Sequence, residues 1–260
     1  MSNRLHLSIM KIITSLKIRI LKLLKKNRGY FTINKIKMFL DYLDPIDREI
    51  IEHHKFEEKE IRFLLKNIQE NNISYFVDVG ANCGYYSIKL ANKIENLKIK
   101  AFEPNEEAYY KFDKTLKINP LLANQIKLNN YGLSNHSKIL EMTSLEKFGY
   151  LQTGGSTVIN PNEKHSINTK LFKANFMKGD DEIDFENKNV CIKIDVEGHE
   201  HQVLEGLENT LKKNKIVLQV EIVNQNFQKV NKLLNSFDLK FFNKIMGRAD
   251  WIYNYYYKNF

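Results

Sequence analysis

Cysteine is scarce in this chain, with two residues in 260. Cys83 and Cys191 form neither a Cys-x-x-Cys pair nor a zinc-binding spacing. That argues against a disulfide framework or structural zinc and for a reduced, cytoplasmic protein. Phosphate-binding signatures are missing too. No Gly-Lys-Ser/Thr follows a glycine turn, which excludes a P-loop, and the dinucleotide pattern G-x-G-x-x-G is absent. Charges interrupt every apolar run of the N-terminal segment, so it reads as neither a signal-peptide core nor a membrane span. Acid is absent from residues 1 to 40, which hold ten Lys/Arg; the first acidic residue is Asp41. The net charge of +9 therefore belongs to that segment, because the other 220 residues carry 30 basic and 31 acidic side chains.

What is present there is periodic. Ile9, Ile12, Ile13, Leu16, Ile20, Leu23 and Leu24 recur at three- and four-residue steps, with Lys11, Lys17, Arg19, Lys22, Lys25 and Lys26 between them. The pattern predicts a basic amphipathic helix. Two uses stay open. One is peripheral docking on an anionic membrane, such as the inner membrane face; the other is packing on the protein's own core or on a second subunit in a homodimer. Residues 34–44 and 46–70 read as two further helices, separated at Asp44-Pro45 because proline disfavours helical geometry in the residue before it. Residues 1–72 are thus expected to form a helical extension, basic and amphipathic over 1–40.

From residue 73 strands and helices alternate, which predicts an α/β domain over 73–260 with a doubly wound, mostly parallel sheet. The expected strands are 75–79, 97–102, 126–130, 189–195, 216–223, 238–243 and 250–257. Helices are expected over 85–94, 105–118, 199–213 and 225–236. The last two strands flank Met246-Gly247-Arg248 closely enough to form an antiparallel hairpin. Residues 143–178 read as an inserted loop. Two short strands, 137–142 and 174–178, border it, and Thr153-Gly154-Gly155-Ser156-Thr157 with the polar run to Thr169 reads as a mobile acceptor-binding lid.

Three motifs carry chemistry. Val77-Asp78-Val79-Gly80-Ala81-Asn82-Cys83-Gly84-Tyr85-Tyr86 is a buried strand running through a glycine turn into a helix, a turn that lets backbone approach a ligand closely. Nineteen residues beyond Gly84, a second strand ends in Glu103-Pro104, where an acid is placed to accept both hydroxyls of a ribose. The third motif is Cys191-Ile192-Lys193-Ile194-Asp195-Val196-Glu197-Gly198-His199-Glu200. Together they resemble the FkbM family of S-adenosylmethionine-dependent methyltransferases, over roughly residues 73 to 223.

The resemblance implies a class I methyltransferase, Rossmann-like fold with an antiparallel last strand, and S-adenosylmethionine as cofactor. It places Asp78, Gly80, Asn82, Gly84 and Tyr85 around the methionine part and Glu103 on the ribose, with Asn130 and Asp195 completing the cofactor set. Gly132 stands where the family tends to have alanine. Asp180-Asp181 read as a cap on the following turn.

Methyl transfer to a hydroxyl needs a general base or a divalent metal, because the hydroxyl pKa lies far above neutral. His199, expected in the first turn of a helix whose dipole keeps it neutral, is the first choice of base, with Glu197 and Asp195 next. Asp195, Glu221 and Asn224, at adjacent strand ends, alternatively hold Mg²⁺ through oxygen. Lys193, inside a central strand, is expected to pair with Asp195 or Glu221, since an unpaired buried ammonium is costly.

The expected activity is O-methylation of a sugar hydroxyl on a bacterial surface glycan, such as capsule or lipopolysaccharide, or on its nucleotide-sugar precursor. The glycan part follows from the habit of the family. Lipid, polyketide, protein or nucleic-acid acceptors, and a catalytically silent binding or scaffold subunit, are the alternatives. Nucleic acid is disfavoured, since no basic patch interleaved with aromatics and no Asn/Asp-Pro-Pro-Tyr/Phe motif is present.

Overall fold

The protein is described from a computed structural model covering residues 2–24, 26–147, 150–159 and 168–260. The chain opens with helix α1 (Ser2–Leu23), then a two-stranded hairpin, β1 (Arg28–Ile33) and β2 (Ile36–Asp41). Residues 34–44 are therefore not helical. Phe31, Ile33, Ile36, Met38 and Leu40 are all buried, a period of two rather than 3.6. Asn34 and Lys35 make the turn with φ of 48° and 74°, the left-handed pair that matches strand twist. Lysine in place of the usual glycine hides that turn from a sequence reading. Helices α2 (Pro45–His53) and α3 (Glu58–Glu70) replace the single helix expected over 46–70. The break falls where His54 and Glu57 adopt φ of 55° and 45°.

Next come β3 (Tyr75–Val79), α4 (Tyr85–Ala91), β4 (Lys98–Phe102), α5 (Glu106–Lys117), α6 (Pro120–Ala123) and β5 (Ile126–Asn129). After β6 (Gly132–Ser134) the chain forms β7 (Lys138–Lys147), β8 (Tyr150–Leu151), a 3₁₀ turn at Thr153–Gly155, β9 (Thr157–Val158), β10 (Thr169–Lys178) and α7 (Gly179–Glu182). It then returns through β11 (Asn189–Ile194), α8 (Glu200–Gly206), α9 (Glu208–Lys213), β12 (Lys215–Val223), a 3₁₀ turn at Asn224–Asn226, α10 (Phe227–Ser236), β13 (Lys240–Met246) and β14 (Ile252–Lys258). The helix expected over 199–213 is two helices, and it starts one residue late, with His199 as the N-cap of α8. Asp180 caps α9, accepting the backbone N–H groups of Asn209 and Thr210 at 3.0 and 2.8 Å.

The main sheet has the order β13-β14-β12-β11-β3-β4-β5, parallel from β12 to β5, with β14 antiparallel to both neighbours. This is the class I methyltransferase order. Alternate strand residues face two cores. One holds Phe76, Ile99, Cys191, Val217 and Tyr256 with the β1–β2 hairpin, α2 and α3. The other holds Val77, Ile192, Leu218 and Tyr257 with α8 to α10. The N-terminal segment thus packs into the same core as one face of the sheet.

The two short strands at the ends of the insertion do pair, and they are longer than expected. β7 and β10 run antiparallel from Phe176–Lys138 to Thr169–Leu145 and, with β6, β8 and β9, form a second sheet beside the first. The part of the expected loop over 160–167 lies outside the described residues.

Candidate active site

The chain runs from β3 to β4 to β5, then crosses back to β11 on the other side of β3. The C-terminal ends of β3 and β11 therefore flank the crevice where open α/β sheets take ligands. A cavity opens there, enclosing roughly 1090 Å³ of empty space when its mouth is counted.

The turn after β3 forms one wall. Gly80, Asn82 and Gly84 have φ of 77°, 49° and 80°, so the backbone coils left-handedly three times in five residues. A Cβ on Gly80 would lie 1.8 Å from the Asp195 carbonyl oxygen, and one on Gly84 would meet the Phe112 ring at 2.4 Å. Both glycines are sterically required. The turn is closed by Glu103 after β4, whose two carboxylate oxygens accept the backbone N–H groups of Asn82 at 2.7 Å and Asn105 at 2.8 Å. Burial pushes Glu103 up to about 7 against those hydrogen bonds. Each of its oxygens keeps a lone pair for a further donor.

Lys193, on β11 beneath the turn, is buried. Its Nζ lies 3.2 Å from Asp195 Oδ2 and 3.6 Å from Asp78 Oδ1, and donates to the Gly80 carbonyl at 3.1 Å. Desolvation works against its charge, but the two carboxylates win, and its pKa is raised. Asp78 also accepts the Ser87 hydroxyl at 2.7 Å. It is fully buried and does not line the cavity, so it braces the turn from below.

Carboxylates dominate the rest of the wall. Asp195, Glu197 and Glu221 bring oxygens within 4.8 Å of one another. Glu57, from the break between α2 and α3, lines the same cavity and accepts the Tyr86 hydroxyl at 2.6 Å. Desolvation and then the Asp195 charge raise Glu57 to about 7 and Glu197 to about 8, although Glu197 stands at the rim and keeps solvent contact. Burial and the neighbouring Asp195 hold Glu221 well above the usual carboxylate range. Among the described residues, the only cations lining the cavity are Lys193 and Arg248. Arg248 pairs with Glu49 at 2.7 Å and lies over the Phe56 ring at the mouth.

His199 lines the cavity from its buried N-cap position. Its Nε2 sits 3.0 Å from the Ser134 hydroxyl, and its ring meets Phe176 edge-on. Burial, then Lys138, lowers its pKa to about 4, so the ring is neutral.

A strap crosses the top. Thr153, Gly154, Ser156 and Val158 line the cavity, and the segment is fastened to the loops after three central strands. The Thr153 hydroxyl lies 2.9 Å from Asn82 Oδ1, Ser156 accepts from Asn105 at 2.8 Å, and Thr157 donates to the Glu197 carbonyl at 2.7 Å. The Thr153 end is the more deeply held. Its hydroxyl also lies 2.7 Å from Asp44 Oδ2 and accepts Lys111 Nζ at 3.0 Å, while its N–H donates to Asp44 at 3.0 Å. Lys111, Asp44 and Asp47 are all buried, and Lys111 is 2.7 Å from Asp47. The expected mobile lid is in this part a docked strap.

Residues 78–247 match the methyltransferase FkbM domain. The chain belongs to the FkbM methyltransferase family. It is similar to methyltransferase sdnD of Sordaria araneosa, with 29% identity over 65% of this chain and 56% of the relative. It is also similar to the hexuronic acid methyltransferase AglP of Haloferax volcanii, with 28% identity over 64% of this chain and 62% of the relative. The chain thus spans less than two thirds of the length of either. An FkbM methyltransferase structure from Methylobacillus flagellatus superposes with a TM-score of 0.49 at 16% identity, over 72% of this chain and 44% of that one.

The cavity of this FkbM methyltransferase suits its cofactor. A buried carboxylate with spare lone pairs, Glu103, stands beside Val79, Ala81 and Leu133, and the acidic wall faces the same space. The first can accept ribose hydroxyls, the apolar side chains can bracket a base, and the wall favours a cation.

Of the residues singled out from sequence, Gly80, Asn82, Tyr85, Glu103, Asp195, Glu197, His199 and Glu221 line this one cavity. Tyr85 points its hydroxyl away, toward Glu58 at 3.3 Å. Gly84 sets the start of α4, and Asn130 donates to the Glu103 carbonyl at 3.0 Å from behind. Asn224 does not line the cavity and accepts the Tyr255 hydroxyl at 2.9 Å, while Glu197 joins Asp195 and Glu221 in the cluster of carboxylates. Glu57, Ser134, Thr153, Asp44 and Arg248 were not anticipated. Thr153 lay in the suspected lid, and Asp44 and Arg248 in segments read only as a helix break and a turn, with no local sign of a place at the site.

Proposed function

We propose that this chain is an S-adenosylmethionine-dependent methyltransferase that modifies a hydroxyl oxygen of a sugar, on a bacterial surface glycan or its nucleotide-sugar precursor. The observation that carries the reading is the acidic wall. Glu57, Asp195, Glu197 and Glu221 offer several acceptor oxygens to a polyol, whereas a nucleic-acid backbone would meet like charge. The name of the AglP relative, a hexuronic acid methyltransferase, agrees with a sugar acceptor.

Bound in the cavity, S-adenosylmethionine supplies a methyl group on a positively charged sulfur. Gly80, Asn82, Gly84, Tyr85 and Glu103 would hold it, with Asn130 and Asp78 fixing the backbone and turn behind them. Glu197 is better matched to the base role than His199. A base is most effective when its pKa lies near the working pH, and the two stand at about 8 and about 4. Glu197 would take the hydroxyl proton at the rim, Asp195 would hold the site anionic, and neutral His199, on Ser134, would orient the acceptor. Mg²⁺ held by Asp195, Glu197 and Glu221 is the second reading, favoured by their close approach.

The test incubates the protein with methyl-labelled S-adenosylmethionine and separated nucleotide-sugar, membrane-glycan, lipid, protein and nucleic-acid fractions, with and without chelator. Label in a sugar hydroxyl, reduced at least a hundredfold by Glu197→Gln, supports the proposal. Label confined to protein or nucleic acid overturns it. Loss with chelator, restored by Mg²⁺, selects the metal reading.

A further inference from the structure

Helix α1 presents an apolar face that nothing among the described residues covers. Ile12, Ile13, Leu16, Ile20, Leu23 and Leu24 are 47 to 83% exposed. At about 100° per residue, these six fall within an arc of about 120° on the helix. The opposite side makes the contacts with the body. Ile18 and Leu21 pack against the core, and Lys17 donates to the Tyr30 carbonyl and lies over the Phe31 ring. The helix is thus held on the protein by one side and offers the other outward. No helix among the described residues is long and apolar enough to cross a membrane.

Charge decides what covers this face. Residues 1–40 contain ten Lys/Arg and no acid, and Arg19 and Lys26 are exposed. A second copy laid on the same face would bring two acid-free basic helices together, with no carboxylate in either to pair the lysines. An anionic bilayer supplies both missing complements, hydrocarbon for the apolar arc and phosphate for the cations at its edges. A helix lying in the interface plane has this build, an apolar arc flanked by cations.

We infer that α1 is a membrane-surface anchor, seating Ile12, Ile13, Leu16, Ile20, Leu23 and Leu24 in the headgroup region of an anionic phospholipid bilayer. The inference is independent of the acceptor proposed above. Since α1 lies against α2, whose Asp44 cap holds the strap, docking orients the catalytic body on the membrane.

The test is co-sedimentation of the full chain with vesicles of phosphatidylcholine alone, or with one third phosphatidylglycerol. Binding is expected to the anionic vesicles only, and to weaken with salt as screening shortens. Arg19→Gln with Lys26→Gln should lower the partition coefficient roughly 25-fold, at about fivefold per basic residue. Ile13→Asp, Leu16→Asp and Ile20→Asp together should lower it by on the order of a hundredfold or more. All five positions are exposed, so the fold should survive, and unchanged thermal unfolding checks this. No binding to anionic vesicles overturns the inference. So does binding that salt removes but the three aspartates leave intact, since the apolar arc would then not be inserted. A wild-type dimer that the aspartates dissociate, without vesicle binding, would assign the face to a second copy instead.

Discussion

Thr153→Val should loosen the strap without rebuilding the cavity, because valine keeps the shape and removes one hydroxyl. That hydroxyl lies between a buried carboxylate and a buried ammonium, 2.7 Å from Asp44 and 3.0 Å from Lys111. It has one proton to give, so it serves either Asp44 or Asn82 at any moment, and Asp44 carries the charge. Losing a hydrogen bond to a charged group costs about 2 kcal/mol, which raises the open population of the strap about thirtyfold. If cofactor entry and exit both wait for the strap to lift, stopped-flow association and dissociation rates should each rise by about that factor. Kd should then change little. Thr157→Val, which loses one bond to the Glu197 carbonyl at the exposed edge, should raise both rates only a few-fold, in line with about 1 kcal/mol. The reasoning fails if Thr153→Val lowers Tm but leaves both rates within twofold of wild type. A rise in dissociation rate alone would make the strap a cofactor contact, not a gate.

Gly80→Ala should abolish cofactor binding and cost about 3 kcal/mol or more, since its Cβ would strike the Asp195 carbonyl at 1.8 Å in a left-handed conformation; calorimetry and denaturant unfolding check both. Lys193→Met should cost about 3 to 5 kcal/mol by stranding Asp78 and Asp195, and adding Asp78→Asn should recover part of that loss in a denaturant titration. Cofactor-free protein should gain Tm as the pH falls from about 8.5 to 6.5. Glu57, Glu103, Glu197 and Glu200 bind protons more tightly folded than unfolded, so their stabilising contribution is present at low pH and lost as pH rises through about 7 to 8. Glu57→Gln should flatten that profile, and a Tm that instead rises with pH would contradict the raised values.

What sequence reading could reach was whatever a short segment dictates. Strand, glycine turn and helix at 77–86 are local, and so is the alternation from residue 73, which led to the mostly parallel sheet; the close spacing of the last two strands led to their hairpin. Errors gathered where a local signal was ambiguous or tertiary packing decided. Residues 34–44 were misread because Lys35, not glycine, occupies a left-handed position. The helix expected over 46–70 breaks at His54 and Glu57, residues with no intrinsic reason to do so. The site divides in the same way. Asp195, Glu197 and His199 share one motif, but Asp44 meets Lys111 across 67 residues and Thr153 across 109. Such partners show no period and no spacing. They are chosen by the topology that stacks the N-terminal segment, the strap and α5 in one place.

The charge distribution of the cavity ties these parts together. Glu57 and Glu197 are raised to about 7 and about 8 because burial and Asp195 both oppose their ionisation, and burial raises Glu103 to about 7. Lys193 relieves this only in part: its charge favours ionised Glu57, Glu103 and Glu197, but burial outweighs it, and its closest partners are Asp78 and Asp195. A cation placed in the cavity reverses the balance, as an opposite charge within a few ångströms favours the ionised form. If Glu197 is the base proposed above, its ionisation is then coupled to filling the site with a cation. The strap holds the Glu197 carbonyl through Thr157 and the glycine turn through Thr153, so it ties the two loops together. Its anchor, Asp44 with Lys111 and Asp47, lies outside the acidic wall, so the deepest hydrogen bonds of the strap involve none of the wall's carboxylates.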